Sequence, residues 1–195
     1  MWARITPIEP GDDVVVLGQG IVGNLYMQAV RERQPGRVIT VDATALRCQI
    51  SQQCGADTVI NVAETDSVQA VKDLTDGKGV DVAYDSVGKD SAKASLDSLK
   101  SRGWFVTYGN ASGAVEPLAP TELNRRGSLV MTRPGLFHFV ADEAGLKRGA
   151  AALFGALRTG TLKANIGQTF NLEDAAEAHR AIESGKTTGS TLLKP

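Results

Sequence analysis

Cysteine and histidine are scarce, with two of each among 195 residues. A disulfide-stapled fold needs more thiols than that. The two present, Cys48 and Cys54, stand six positions apart in a stretch with helical periodicity, where they do not face each other. They are expected as free, partly buried thiols in a reducing cytoplasm. No set of Cys and His has zinc-ligand spacing, so neither a structural zinc lobe nor metal-assisted alcohol oxidation is expected. Charge of one sign is lacking too: 21 basic against 22 acidic side chains leave a net charge of −1. Without a basic excess, a nucleic-acid partner is not expected. No apolar run approaches the roughly 18 residues of a membrane span, so no membrane partner is expected. Residues 1–7 lack the apolar core and cleavage site of a secretory leader.

What is present is globular. Hydrophobic residues make up 42% and charged residues 22% of the chain, close to ordinary values. Short apolar runs alternate with amphipathic stretches. Strands are expected at 13–18, 37–43, 58–62, 80–84, 104–108 and 129–132, and helices at 21–33, 44–54, 66–74 and 91–99. Pro35-Gly36 breaks the chain after the first helix, and Gly55 stops the second. Strands apolar throughout imply a sheet buried on both faces. The fold class that follows is α/β, a Rossmann doubly wound parallel sheet with helices on both faces. After Gly135 come a helix at 142–157, a short extended piece at 168–172, a helix at 173–184 and a strand at 190–194. These form a C-terminal α/β appendage, so the chain divides into 10–135 and 136–195.

The sharpest local signal is Gly18-Gln19-Gly20-Ile21-Val22-Gly23. A lone G-x-G-x-x-G is weak, but this one leaves an apolar strand and opens a helix. Gly18 permits the tight turn, Gly20 lets a diphosphate approach the backbone, and Gly23 lets helix and strand pack closely. The diphosphate then meets the free amides of the helix start, Ile21 and Val22 included. Asp42 ends the second strand, 24 positions after Gly18, near the expected offset of about 20 for a residue that binds the adenosine ribose. Its carboxylate accepts from ribose hydroxyls and repels a 2′-phosphate, which favours NAD. Arg47, one turn into the next helix, keeps NADP as the alternative. The competing readings are a plain turn with Asp42 as a helix cap, and a methyltransferase, whose glycine loop seldom keeps the third glycine.

Further along, Tyr84-Asp85-Ser86-Val87-Gly88, the run Tyr108-Gly109-Asn110-Ala111-Ser112-Gly113-Ala114-Val115, Leu123-Asn124, Gly127-Ser128-Leu129, Thr132-Arg133-Pro134, Ala178-His179, Ile182-Glu183-Ser184-Gly185 and Thr187-Thr188-Gly189-Ser190 together resemble one family. They are similar to the zinc-free quinone oxidoreductases of the medium-chain dehydrogenase/reductase superfamily, over residues 10–195. Two departures stand out. Many such reductases carry an alanine-rich glycine turn and prefer NADPH, whereas Gly18-Gln19-Gly20 with Asp42 looks more like the NAD-dependent alcohol and polyol dehydrogenase branch. The family's β-rich N-terminal catalytic domain also has no counterpart here.

The resemblance implies Ser86, Val87 and Gly88 beside the dinucleotide, Gly109 and Asn110 at its nicotinamide end, and Phe137 as a wall of that pocket. Asn110 as a turn residue and Phe137 as core packing are the competing readings. Lys186 reads as a solvated lysine, His138 as a packed ring and His179 as structural. Tyr26, Tyr84 and Tyr108 stand in no Tyr-x-x-x-Lys arrangement, and no catalytic acid or base is assigned. The expected activity is hydride transfer from NAD(P)H to a quinone or carbonyl without a metal. The alternative is a dinucleotide-binding module lacking its catalytic domain, with little activity of its own. A homodimer through the strand at 128–132 is expected, and a separate catalytic domain is a candidate partner.

Overall fold

The computed structural model describes residues 6–195. The first five, which hold most of the stretch read as lacking a secretory leader, lie outside the described residues. Six strands form one parallel sheet: β1 (Asp13–Leu17), β2 (Arg37–Asp42), β3 (Thr58–Asn61), β4 (Val80–Asp85), β5 (Leu99–Thr107) and β6 (Val130–Thr132). Their spatial order is β3-β2-β1-β4-β5-β6. The order reverses between β1 and β4, and in open α/β sheets the crevice at that reversal is where ligands bind.

Side-chain alternation along β1 divides the core. Val14 and Val16 join Tyr26, Met27 and Val30 of helix α1 (Ile21–Val30) on one face. Val15 and Leu17 join Val71 of α3 (Ser67–Leu74) and Leu96 of α4 (Ala92–Asp97) on the other. Both faces are apolar because helices cover both, so the strand shows no polar alternation. The remaining helices are α2 (Ala45–Gln53), α5 (Pro120–Arg125), α6 (Leu136–Phe139), α7 (Glu143–Arg158) and α8 (Ala175–Glu183). A second, two-stranded parallel sheet pairs β7 (Ile166–Asn171) with β8 (Ser190–Lys194).

Several boundaries differ from expectation. The first helix keeps α geometry only to Val30, then tightens into a 3₁₀ turn at Arg31–Arg33 and stops at Gln34, whose φ is +56°. Strand β5 starts at Leu99, where a helix is expected, because its pairing with β4 jumps from Val80–Leu99 to Val82–Trp104. The bulge between those pairs holds Arg102 at φ +63°, its amide donating to Gly127 O at 2.7 Å. The polar run Lys100-Ser101-Arg102-Gly103 hides this half of the strand from a hydrophobicity reading.

Helix α5 is tied to α4 by Arg126, whose guanidinium reaches Asp97 and Glu122. Partial burial raises the Asp97 pKa, but hydrogen bonds from Lys93 and Arg126 outweigh it and hold the carboxyl below its ordinary value of 3.8. A depressed folded-state value means the stabilisation is present above pH 3.8 and is lost as pH falls below it. Arg126→Ala is therefore expected to cost about 1 kcal/mol at pH 7. Urea melts should show that difference closing as the carboxyl protonates at the acid end.

One anchor of the C-terminal segment is a side chain of α1. Gln28 of α1, buried, donates from Nε2 to Lys163 O at 3.1 Å and accepts from Lys163 N at 2.7 Å. Its amide thus pairs with the backbone just before β7 as a neighbouring strand would.

Candidate functional site

The loop from β1 to α1 shows why its glycines stand where they do. Gly18 has φ +86°, and a Cβ there would run into the side chains of Ser86 and Val87. At Gly23 a Cβ would fall on the carbonyl of Gly18, 2.9 Å from its carbon. Gly20 is different: nothing lies within 4 Å of where its Cβ would be, so its space faces outward. It precedes the first turn of α1, which has neither a side-chain cap nor an acidic residue. Ile21 and Val22, 40% and 52% exposed, hold that turn at the surface. The amides at the start of α1 and its positive dipole end therefore form a helix start of the kind that favours an anion.

Asp42, 8% exposed, meets this loop from β2. Its Oδ2 accepts from Gln19 N at 2.7 Å and its Oδ1 from Thr44 N at 2.8 Å. It therefore does not cap α2, whose N-cap is Thr44 without a side-chain bond, but closes the turn before that helix and clamps the glycine loop. A carboxylate has about four acceptor positions, so two remain beyond these amides. Beside it the Cys48 thiol donates to Asp42 O at 3.6 Å, and burial together with the Asp42 charge pushes its pKa up. Cys48 and Cys54 are both free. Arg47 is engaged elsewhere: its Nη2 donates to Gly185 O at 2.9 Å and Thr187 O at 3.3 Å, clasping the loop between α8 and β8. Lys186, in that loop, is exposed.

The other half of the crevice is built from the ends of β4 and β5. Ser86 Oγ donates to Leu17 O at 3.0 Å, which holds it against the glycine turn. Ser112 N donates to Val87 O at 2.8 Å, and a Cβ at Gly88 or Gly109 would strike the facing backbone. Asn110 is exposed, and its carbonyl accepts from Gly113 N at 3.0 Å, the turn that its competing reading describes. Two residues here stand inside the motifs that carry the resemblance, which assigns them no role. Asp85 is fully buried and accepts from Val87 N, Gly88 N, Ser91 Oγ and Ser95 Oγ at 2.6–2.9 Å. Arg133 donates to Gly109 O at 3.0 Å from just beyond β6. An acid ending a strand three residues before a glycine, and an arginine just past the next strand but one, were the available signals.

Three readings need correction. Phe137 is 84% exposed on α6, so it is not packed in the core. His138, read as a packed ring, is exposed on the same short helix. His179, read as structural, is exposed on α8, where Ala178 rather than the His179 face is buried. The phenols form a cluster beneath the glycine loop. Tyr26 stacks on Tyr108 with centroids 5.1 Å apart and tilts against Tyr84 at 4.6 Å. Burial pushes Tyr84 up to about 12 and Tyr26 and Tyr108 upward as well, so all three stay protonated at neutral pH.

This fold and this loop define a doubly wound α/β domain of the Rossmann, dinucleotide-binding type. Residues 54–193 match the family model described as zinc-binding dehydrogenase. The chain is 36% identical over 190 residues to a 2-haloacrylate reductase of Burkholderia, covering 96% of this chain and 57% of that protein. It is 38% identical over 180 residues to quinone oxidoreductase 1 of Escherichia coli, covering 91% of this chain and 54% of the relative. A crystal structure of an Escherichia coli quinone oxidoreductase complexed with NADPH superposes with a TM-score of 0.90 at 36% identity, over 98% of this chain and 60% of that one. The chain belongs to the zinc-binding dehydrogenase family, as a quinone oxidoreductase-like member of the medium-chain dehydrogenase/reductase superfamily. It spans a little over half the length of the curated relatives it matches. The zinc in the family's description finds no fit: among the described residues no three His, Cys, Asp or Glu side chains converge as a metal site requires. No described helix is long and apolar enough to cross a membrane.

Proposed function

We propose that this chain is the cofactor-binding part of a nicotinamide-dependent oxidoreductase of quinone reductase or alcohol dehydrogenase type, reducing a quinone or carbonyl without a metal in the cytoplasm. The observation that carries this reading is the uncapped start of α1 behind Gly20, joined to Asp42 through the amide of Gln19. The bound dinucleotide would supply the hydride, and the protein supplies position and electrostatics. Gly18, Gly20, Ile21, Val22 and Gly23 would hold the diphosphate, and Asp42 the adenosine ribose. Arg47 steadies the loop at 185–187 beside them. Ser86, Val87, Gly88, Gly109 and Asn110 would border the nicotinamide half, with Phe137 as an outer wall.

The residues of this chain favour NADH. Asp42 would oppose a 2′-phosphate, and the guanidinium of Arg47 already serves two carbonyls. The second reading, NADPH, is favoured by the Escherichia coli relative crystallised with that cofactor. Fluorescence titration decides between them: NADH should bind at least tenfold more tightly, an expectation for a buried carboxylate facing a phosphate. Asp42→Ser should remove most of that preference. An unchanged ratio would mean that the ribose lies elsewhere.

In this reading residues 10–135 are the nucleotide domain, and 136–195 dock on a catalytic domain. Leu146 and Phe154 of α7 and Phe137 of α6 are each exposed, and such large apolar side chains would be covered by that docking. The competing reading, a binding module with little activity alone, draws on the same side chains. Tight NADH binding without oxidation in the presence of a simple quinone would select it. The strand at 128–132 is proposed as a homodimer seam, since β6 lies at the open edge of the sheet with Val130 exposed. Light scattering should return twice the chain mass.

A further inference from the structure

Behind the glycine loop runs a buried polar chain that no phosphate or sugar contact requires. Gln19, the residue between the first two glycines, turns its side chain inward. Its Nε2 donates to Val16 O at 3.0 Å, and its Oε1 accepts from Ser51 Oγ at 3.2 Å. Ser51, on α2 and fully buried, lies 2.8 Å from Thr40 Oγ1 of β2, which is buried as well. The peptide of residue 19 is thus held from two directions. Its amide donates to Asp42, and its side chain is fixed to β1 and, through Ser51, to α2.

The consequence bears on Asp42. Its carboxylate direction is set by two amides, and only one of them, Thr44, belongs to its own loop. The other is Gln19 N, whose place depends on the buried chain. A pre-organised acceptor binds more tightly than one that must be ordered on binding, and second-layer hydrogen bonds provide that order. We infer that Gln19 and Ser51 are positioning residues that set the cofactor discrimination exercised at Asp42, Ser51 acting from behind the loop. The inference rests on the proposal that Asp42 receives the adenosine ribose.

The test compares dissociation constants for NADH and NADPH in four proteins: wild type, Asp42→Ser, Ser51→Ala and Gln19→Leu. The thermal midpoint is recorded for each. Losing one hydrogen bond's worth of order should weaken NADH about fivefold in Ser51→Ala while NADPH stays within about twofold, so the preference shrinks severalfold. Gln19→Leu should shrink it at least as much, and it serves should Ser51→Ala fail to fold. A merely structural role would lower the midpoint and move both constants together, or neither, and that result overturns the inference. If Asp42→Ser abolishes the preference while Ser51→Ala and Gln19→Leu leave it intact, the inference alone falls. A wild type that binds neither cofactor, or shows no preference for Asp42→Ser to remove, overturns the ribose assignment and the inference with it.

Discussion

Asp85→Ala is expected to lower the folding free energy by about 4 kcal/mol in urea unfolding. The carboxylate is fully buried and gathers two amides, Val87 and Gly88, and two hydroxyls, Ser91 and Ser95. Each buried donor left without an acceptor costs about 1–3 kcal/mol. The total stays near the lower end because Ser91 keeps a contact with Gly88 O at 3.3 Å and Val87 is only half-buried. Asp85→Asn should recover about half, since its carbonyl oxygen still serves the two amides while the hydroxyls turn to accept. A loss below about 1 kcal/mol for alanine would show that the loop after β4 is held by other means.

Gly23→Ala should cost up to about 2 kcal/mol of stability and more than tenfold in dinucleotide affinity. Two effects compete. Alanine favours helix over glycine by about 1 kcal/mol. Against this, the added methyl would sit on the Gly18 carbonyl, a backbone atom that cannot swing aside as a side chain would. Overpacking of that kind costs about 1–3 kcal/mol even where neighbours adjust. Here adjustment means moving the glycine turn, so binding suffers beyond the stability loss. Gly20→Ala is the control, because its Cβ would enter open space, and it should fold as well as wild type while obstructing the anion. Wild-type affinity in Gly23→Ala would remove the close approach of α1 from any part in binding.

The sheet was legible because Val14, Val15 and Val16 are buried on both faces and leave nothing else for such a run to be. The glycine loop was legible because each glycine answers a different steric demand. The chain hid the first half of β5, where a bulge admits Lys100, Ser101 and Arg102 into a strand. It hid α5 too, although Ala119-Pro120-Thr121-Glu122 carries a proline in the first turn and an acid after it. Site residues divide the same way. Asp42 could be placed from its spacing, but its service to two amides depends on a loop folding back from another strand. Asp85 and Gln19 sit at positions where sequence alone permits many side chains. Only the tertiary arrangement reveals that one collects serines and the other reaches a helix 32 positions away. His179 misled because helical spacing tells which residues share a face and not whether anything covers it, and His138 because an aromatic cluster in the sequence need not be buried.

The pairing of Gln28 with Lys163 gives α1 a second office. Its N-terminal end fronts the crevice, while two turns on it grips the segment that leads into the smaller sheet. Any swing of that smaller sheet relative to the larger must therefore break both bonds of one side-chain amide, or else drag with it the very helix whose opening turn looks out on the crevice.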